Sequence, residues 1–418
     1  FNAYYTGGVK GLDIDFNMDG YWGASFQNQR TLEHRTEVAG ADSERTITND
    51  NTVKNHLLAA RLILAHPLWK GKVSFGGEFS TNDRSDIYLN KEGIVGDADM
   101  RIQENLASAF LEYSLAVGKL HAAAGLRYEF LKSDYYEYGI KSDEQSRTYH
   151  NVFPSLSVSY PIKGLNLNIN YAKGIDRPHY HLLRSNITYV NKYYCETGNP
   201  YLSPSFWNRV ELAASYKWIS FVINYSYIKD MMIMSCSLFS ESNPYVTLRS
   251  YKNMDHGSVL FSSLTLAPTI GFWSPKLDVM ARKQWFIAGT PSGPENFGRL
   301  RLILNFDNSF RLPWNFRLDI DGSYISAGDD NNFRYGDCWQ FDFSVYKGFL
   351  EDRLSIQLQG EDMFRTGRPE WRLYCDRYVQ TVSEENRRTI RLTLRYKLNP
   401  SESKYRGTGA GRSQRYRM

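Results

Sequence analysis

Apolar and polar residues alternate one for one along much of this chain. Leu12-Asp13-Ile14-Asp15-Phe16-Asn17-Met18-Asp19 does so without a break, and Leu165-Asn166-Leu167-Asn168-Ile169-Asn170-Tyr171 repeats it. Phe316 to Asp321, Leu354 to Gln359 and Ile390 to Tyr396 carry the same pattern. A β-strand sends successive side chains to opposite faces, so each run has one apolar and one wet face. Between the runs, short connections lie near 66–71, 117–119, 161–164, 216–218, 269–273, 312–314 and 348–352. Long polar connections are predicted at 30–52, 82–102, 133–148, 177–205, 231–255, 287–297, 327–337 and 368–387. The spacing predicts about sixteen strands, one hairpin per ~50 residues, with short turns on one side and long loops on the other. This is the pattern of an all-β, transmembrane, antiparallel up-and-down barrel, apolar toward lipid and polar toward its lumen.

A propeller needs shorter strands at closer spacing. A helical membrane protein needs about 18 or more consecutive apolar residues, and no such stretch exists. The mean hydropathy of −0.49 fits a barrel as well as a soluble protein, because half of every strand faces water. Aromatic residues reach 15%. Trp69, Trp218, Trp273 and Trp314 fall at the short turns, and Trp22, Trp207, Trp285, Trp339 and Trp371 near the long loops. Two aromatic girdles, one per membrane interface, would produce that split. The net charge is +5 with basic and acidic residues intermixed, so nucleic acid is not an expected partner. Residues 1–398 are expected to form the barrel. Residues 399–418, with Lys404, Arg406, Arg412, Arg415 and Arg417 against Glu402, are expected to be a disordered basic periplasmic tail.

Three blocks carry a family resemblance. Val152-Phe153-Pro154-Ser155 opens one strand. Gly174-Ile175-Asp176-Arg177-Pro178 is followed by Gly198-Asn199-Pro200-Tyr201-Leu202-Ser203-Pro204 and Val210-Glu211-Leu212, and Arg388 to Lys397 ends the wall. Together they resemble the C-terminal barrel of TonB-dependent receptors, the Bacteroidetes-type outer-membrane barrel family. The resemblance implies a bacterial outer-membrane location, a 22-stranded barrel in the complete protein, and an N-terminal plug domain that contacts TonB. It also implies a surface lipoprotein as partner, and uptake of a siderophore, glycan, peptide or metal complex. No plug-like region is visible, and Phe1 to Tyr5 reads like the end of a strand, so the chain is expected to be part of a longer barrel.

No catalytic constellation, and hence no enzyme activity or cofactor, is expected. Gly407-Thr408-Gly409-Ala410-Gly411 lacks the strand-to-helix setting and Lys-Ser/Thr end of a phosphate loop. His179 and His181 lack a third ligand at metal spacing, and Asp13, Asp15 and Asp19 sit along one wall of one strand. Cys195, Cys236, Cys338 and Cys375 all map to the outer side, where disulfides are permitted. Neighbouring loops suggest Cys195–Cys236 and Cys338–Cys375, one of three pairings, with free thiols as the alternative. Because charge facing lipid costs ~2–4 kcal/mol at mid-depth, Arg127, Glu129, Arg299, Arg301, Arg317, Arg391, Arg395 and Lys397 are expected to point into the lumen. Loop aromatics Tyr189, Tyr193, Tyr194, Tyr245 and Trp371 are the candidates for ligand contact. The first functional expectation is the barrel part of such a transporter. A self-contained sixteen-strand porin and a surface β-rich polysaccharide-binding protein are the alternatives.

Overall fold

The computed structural model describes residues 1–36, 42–376, 379–383, 388–398 and 409–418. Its main element is a 19-stranded sheet. Two short strands of that sheet, Ile187–Asn191 and Tyr194–Thr197, belong to an outer connection. The other seventeen form the wall: Asn2–Val9, Leu12–Thr36, Asp42–Leu68, Gly71–Asn90, Ala98–Val117, Leu120–Glu137, Ile140–Ile162, Leu165–Asp176, Ser205–Tyr216, Ile219–Ser240, Asn243–Leu266, Trp273–Trp285, Arg301–Leu312, Phe316–Ile325, Cys338–Phe349, Leu354–Glu361 and Thr389–Tyr396. Each pairs antiparallel with the one before it, so the wall is a pure meander.

The register separates the two faces. Ile14, Leu64, Phe75, Leu111 and Leu126 stand in one row across five strands. Phe75, Leu111 and Leu126 of this row are exposed, as a lipid-facing row must be. Three residues along, Asn17, Arg61, Glu78, Ser108, Glu129 and Asn151 form a polar row on the opposite, concave face. The short turns fall where the sequence places them. Lys10 and Gly11 (φ 51° and 80°) and Lys163 and Gly164 (φ 47° and 89°) have the paired positive φ of two-residue hairpins, which matches strand twist. Trp69 and Trp314 sit at such turns with 90% and 82% exposure, one aromatic rim. Trp22, Trp285 and Trp339 are exposed on the lipid face at the other. Trp273 and Trp285 bracket one 13-residue strand. At ~3.3 Å per residue and a ~40° tilt this rises about 30 Å, the depth of a hydrocarbon core.

Three sequence expectations need revision. Most of the segments read as long loops at 30–52, 82–102, 133–148 and 231–255 are strand. Leu12–Thr36 and Asp42–Leu68 run on as an extended hairpin, and the last two connections turn at Tyr138-Gly139 and Glu241-Ser242. These extensions mix polar and apolar residues without a sustained apolar/polar alternation, yet the backbone ladder continues through them. Second, seventeen strands form the wall where about sixteen are expected, and among the described residues Asn2–Val9 pairs only with Leu12–Thr36, and Thr389–Tyr396 only with Leu354–Glu361. The wall therefore has two free edges. Third, part of the tail departs from the disordered periplasmic segment that its composition predicts. Residues 399–408 lie outside the described residues, but Gly409 to Met418 is ordered against the concave face and includes the helix Arg412–Arg417. Its cations find carboxylates on the wall, which a composition rule does not register.

Leu111→Arg should cost about 2–4 kcal/mol, because the row it joins lies near mid-depth in lipid, while Ser108→Arg on the wet face should cost little. Reversible urea unfolding in lipid vesicles measures both. Equal losses would show that the faces are wrongly assigned.

Candidate functional site

The concave face is built from ionisable side chains that the alternation forces inward. Glu129 is buried between two cations, Arg177 at 2.5 Å and Arg127 at 3.0 Å. The Arg127 guanidinium also lies 5.2 Å from the Phe153 ring, so the Phe-Pro-Ser strand presents its Phe to the same lumen. Farther up, Arg84 and Asp86 pair at 3.0 Å with both side chains under 5% exposed. Glu104 is buried and accepts from the Tyr180 hydroxyl at 3.2 Å.

Tyr180 arrives from the connection 177–204, which turns inward over the strands. Arg177 anchors its start on Glu129, and a single 3-10 turn, Tyr180–Leu182, carries the fully buried Tyr180. Its end is stitched by Asn199, whose backbone N donates to Leu182 O at 2.6 Å and whose side chain donates to Tyr251 O at 2.9 Å. At Gly198 a Cβ would meet Leu182 O and Arg184 O at 2.6 and 2.5 Å, so only glycine fits. The Arg-Pro and Gly-Asn-Pro blocks thus hold this connection in place. A small pocket of about 40 Å³ lies beneath it, lined by Glu104, Tyr135, Arg147, Arg177, Leu202 and Arg417.

At the mouth, Tyr189 is buried against Ile47, Tyr88, Val95 and Cys195 rather than presented to solvent. Its hydroxyl donates to Glu33 and accepts from Arg45 at 3.2 Å, and Arg45 pairs with Glu33 at 2.7 Å. Burial pushes the Glu33 carboxyl up, but the hydrogen bonds from Tyr189 and Arg45 outweigh it and hold its pKa below the usual 4.5. Tyr194 is half-buried, bonded to Glu196 at 2.9 Å under the Arg249 guanidinium. Trp371 is half-buried and packs edge-on against Phe333. Tyr193 and Tyr245 are exposed, at 58% and 83%.

One disulfide is present, Cys236–Cys375, with Cα atoms 5.4 Å apart. It replaces both suggested pairings. Cys195 pairs with Leu248 on one side of Asn243–Leu266, and Cys236 with Arg249 on its other side. Two strand spacings, roughly 9.6 Å, separate them, too far for a bond. Cys375 instead reaches Cys236 because its hairpin, Glu370–Tyr374 with Val379–Ser383, folds back over the mouth. Asn332 fastens it by donating to Met234 O at 2.9 Å and Tyr374 O at 2.7 Å. Cys195 is a buried thiol and Cys338 is half-buried at a strand start.

The remaining expected lumen charges divide by depth. Arg317 pairs with Asp319 at 3.1 Å on the wet face. Arg391 and Arg395 lie opposite Gln359 and Ser355, on that same face of the final strand. Arg301 lies under the small outer hairpin Gly328–Asp330 and Phe333–Tyr335, 4.0 Å from the Tyr335 ring. Arg299 precedes its strand and is exposed; its backbone N donates to the Asp329 carboxylate at 3.0 Å and its backbone O accepts from the Asp329 N–H at 3.2 Å. Trp207 departs from the girdle reading: it shares the wet face with Arg209, whose guanidinium is 4.8 Å from its ring. Sequence reasoning missed Glu104, Tyr180 and Arg417. The first sits in an ordinary alternation, and the others lie in segments read as loop and tail.

A meander of tilted strands with a lipid face, aromatic rims and an ionic concave face defines an outer-membrane β-barrel protein of bacteria. The model of the outer membrane protein beta-barrel family matches residues 8–396, and the chain belongs to that family. Among solved structures it is similar to the ferric-catecholate import receptor Fiu from E. coli K12. The identity is 13%, the TM-score 0.62, and 92% of this chain and 62% of Fiu are covered. It is also similar to the copper transporter OprC, at 10% identity and TM-score 0.61, covering 91% of this chain and 68% of that one. The ferric yersiniabactin uptake receptor FyuA from Yersinia pestis matches at 12% identity and TM-score 0.56, covering 94% and 59%. At such identities the likeness is one of fold. The chain spans about three-fifths of the length of Fiu and FyuA. No curated protein matches.

Non-reducing digestion and mass spectrometry should yield a peptide joining Cys236 to Cys375; a Cys338–Cys375 peptide would overturn the assignment. The Glu33 clasp has a defined pH dependence. Because its folded pKa is lowered, its contribution is complete above about pH 4.5 and is lost as pH falls through the folded value. Hydrogen exchange over 187–197, corrected for intrinsic rates, should quicken between about pH 6 and about pH 3.5 in the parent. Glu33→Gln should abolish that difference; equal protection of the parent at both values would exclude the clasp.

Proposed function

We propose that this chain is the C-terminal barrel portion of a TonB-dependent, receptor-like outer-membrane transporter of the Bacteroidetes type. In this reading an N-terminal plug and further strands complete a barrel of about 22 strands. The observation that carries it is the open wall: seventeen strands with two free edges among the described residues. Unbonded edge groups are too costly in lipid to persist, so they call for more strands. The coverage of Fiu and FyuA is of the size that such a missing portion would leave.

The cargo is a ligand large enough to need a gated lumen, in the class of metal chelates, glycans or peptides. It meets the mouth at Tyr193 and Tyr245, exposed rings that stack on sugar or apolar faces at small entropic cost. The ionic wall beneath supplies polar partners along the passage. Energy arrives through TonB acting on the plug, and a surface lipoprotein is a second expected partner.

Fractionated native cells, blotted with an antibody against residues 388–418, test this reading. An outer-membrane band well above 48.4 kDa, and ligand uptake that stops when TonB is deleted, are the expected results. An outer-membrane band at 48.4 kDa would instead indicate a complete passive pore.

A further inference from the structure

The segment Gly409–Met418 makes a continuous set of contacts with the lumen. The Gly409 N–H donates to Asn17 at 3.2 Å, the Ala410 N–H to Asp19, and the Gly411 N–H to Glu78 at 3.1 Å. Gly411 has φ 64°, and a Cβ there would lie 2.8 Å from the Ala59 Cβ, so this turn requires glycine. The helix Arg412–Arg417 follows. Arg177 donates to Ser413 at 3.5 Å, and the Tyr416 ring lies 5.0 Å from His179. Arg417 enters a seat that leaves its side chain 5% exposed. Its Nη1 donates to Glu104 at 2.6 Å, its Nε to Pro178 O at 2.9 Å, and its guanidinium stands 4.3 Å from the Tyr180 ring.

Every part of that seat is specific for a guanidinium. A buried carboxylate supplies charge, a backbone carbonyl takes the second N–H, and an aromatic face covers the plane. Left empty, it would strand Glu104 as a buried charge, so it favours an occupant. The segment also bridges strands Leu12–Thr36 through Ala98–Val117 to the connection 177–204. It lies over an open cavity of about 250 Å³ lined by Arg61, Glu78, Arg127, Glu129, Arg412 and Ser413.

We propose that Gly409–Met418 is a built-in latch of the lumen: an intramolecular ligand of the Glu104–Tyr180–Pro178 seat that obstructs the passage while Arg417 is bound. It must leave the seat for a solute to pass. The cargo side of this inference rests on the transport reading; the seating does not. Release couples to the mouth, because Tyr180 and Pro178 belong to the connection that Arg177 and Asn199 hold in place.

The full-length protein, purified in detergent, tests the seating with Ser413→Cys. Labelling of the introduced thiol by a soluble maleimide should be at least about tenfold slower than in Ser242→Cys, an exposed outer turn. Adding Arg417→Ala should bring the two rates together, and Arg417→Lys should fall between. Liposome swelling by a small sugar, measured with the proposed plug deleted so that it does not mask the result, tests obstruction and needs neither TonB nor a known cargo. Truncation after Thr408 should raise the rate several-fold, and Glu104→Gln, which keeps the shape of the seat, should raise it less. Heat-modified gel migration confirms that each variant is folded. Fast labelling of the Ser413→Cys variant with Arg417 intact would overturn the latch, as would an unchanged swelling rate on truncation. Slow labelling of that variant with no energised uptake in cells would leave the latch standing and sink the transporter reading.

Discussion

A backbone in lipid has no water to bond with, so each N–H and C=O in the membrane must find a partner in the chain. The seventeen-strand wall is the consequence. Antiparallel neighbours joined by tight turns satisfy the ladder with the least chain, and they leave the side chains free to divide between two solvents. The same constraint gives the two edges their meaning. Asn2–Val9 covers only a third of its partner's length, and Thr389–Tyr396 is exposed on both faces. At several kcal/mol for each unsatisfied group in hydrocarbon, such edges are costly to leave unpaired, which is what the proposed reading answers with further strands.

Within the lumen, two kinds of ion pair do different things. Arg84–Asp86, Arg317–Asp319 and Lys276–Asp278 join residues two apart on one strand. The pairing itself neutralises charge within one strand. Glu129–Arg177 and Glu104–Arg417 join a wall strand to chain from elsewhere. A buried pair adds little net stability over an apolar contact, but losing one partner costs about 3–5 kcal/mol, so such a pair fixes position. The inward fold of 177–204 and the seating of the C-terminal helix both depend on this second kind.

How much of this could be read from sequence depends on whether the signal is local. The spanning strands were legible because lipid on one side and water on the other impose a period of two, and Lys10-Gly11 or Lys163-Gly164 mark the turns in the same register. Above the membrane both faces are wet, so the extended ends of Leu12–Thr36 and Asp42–Leu68 read as loop. Tyr189 looked like a loop aromatic because nothing near it in sequence announces Glu33 and Arg45, more than 140 residues away. The cysteine pairing turned on which side of Asn243–Leu266 each thiol lies, a fact of topology that loop order does not contain. The tail failed for a related reason: its Gly and Arg content describes a chain in water, and its partners are carboxylates on a distant wall.

The Cys236–Cys375 bond and the Arg417 seat both lie toward the outer ends of the wall strands, and their chemistry differs in a way that matters. A bond across a sequence separation of 139 removes about 4–5 kcal/mol of chain entropy from the unfolded state in the loop-closure account, and it does not exchange during function on an oxidising surface. It makes the outer hairpin, with Asn332 beneath it, a fixed part of the mouth. The Arg417 seat is held by charge and two hydrogen bonds, so it can empty and refill without covalent change. Motion during transport is therefore expected at the seat and in the connection that shares Tyr180 and Pro178 with it, not in the bridged hairpin. In the proposed transporter, a mouth of fixed shape would select what enters, and a reversible contact below it would govern what continues.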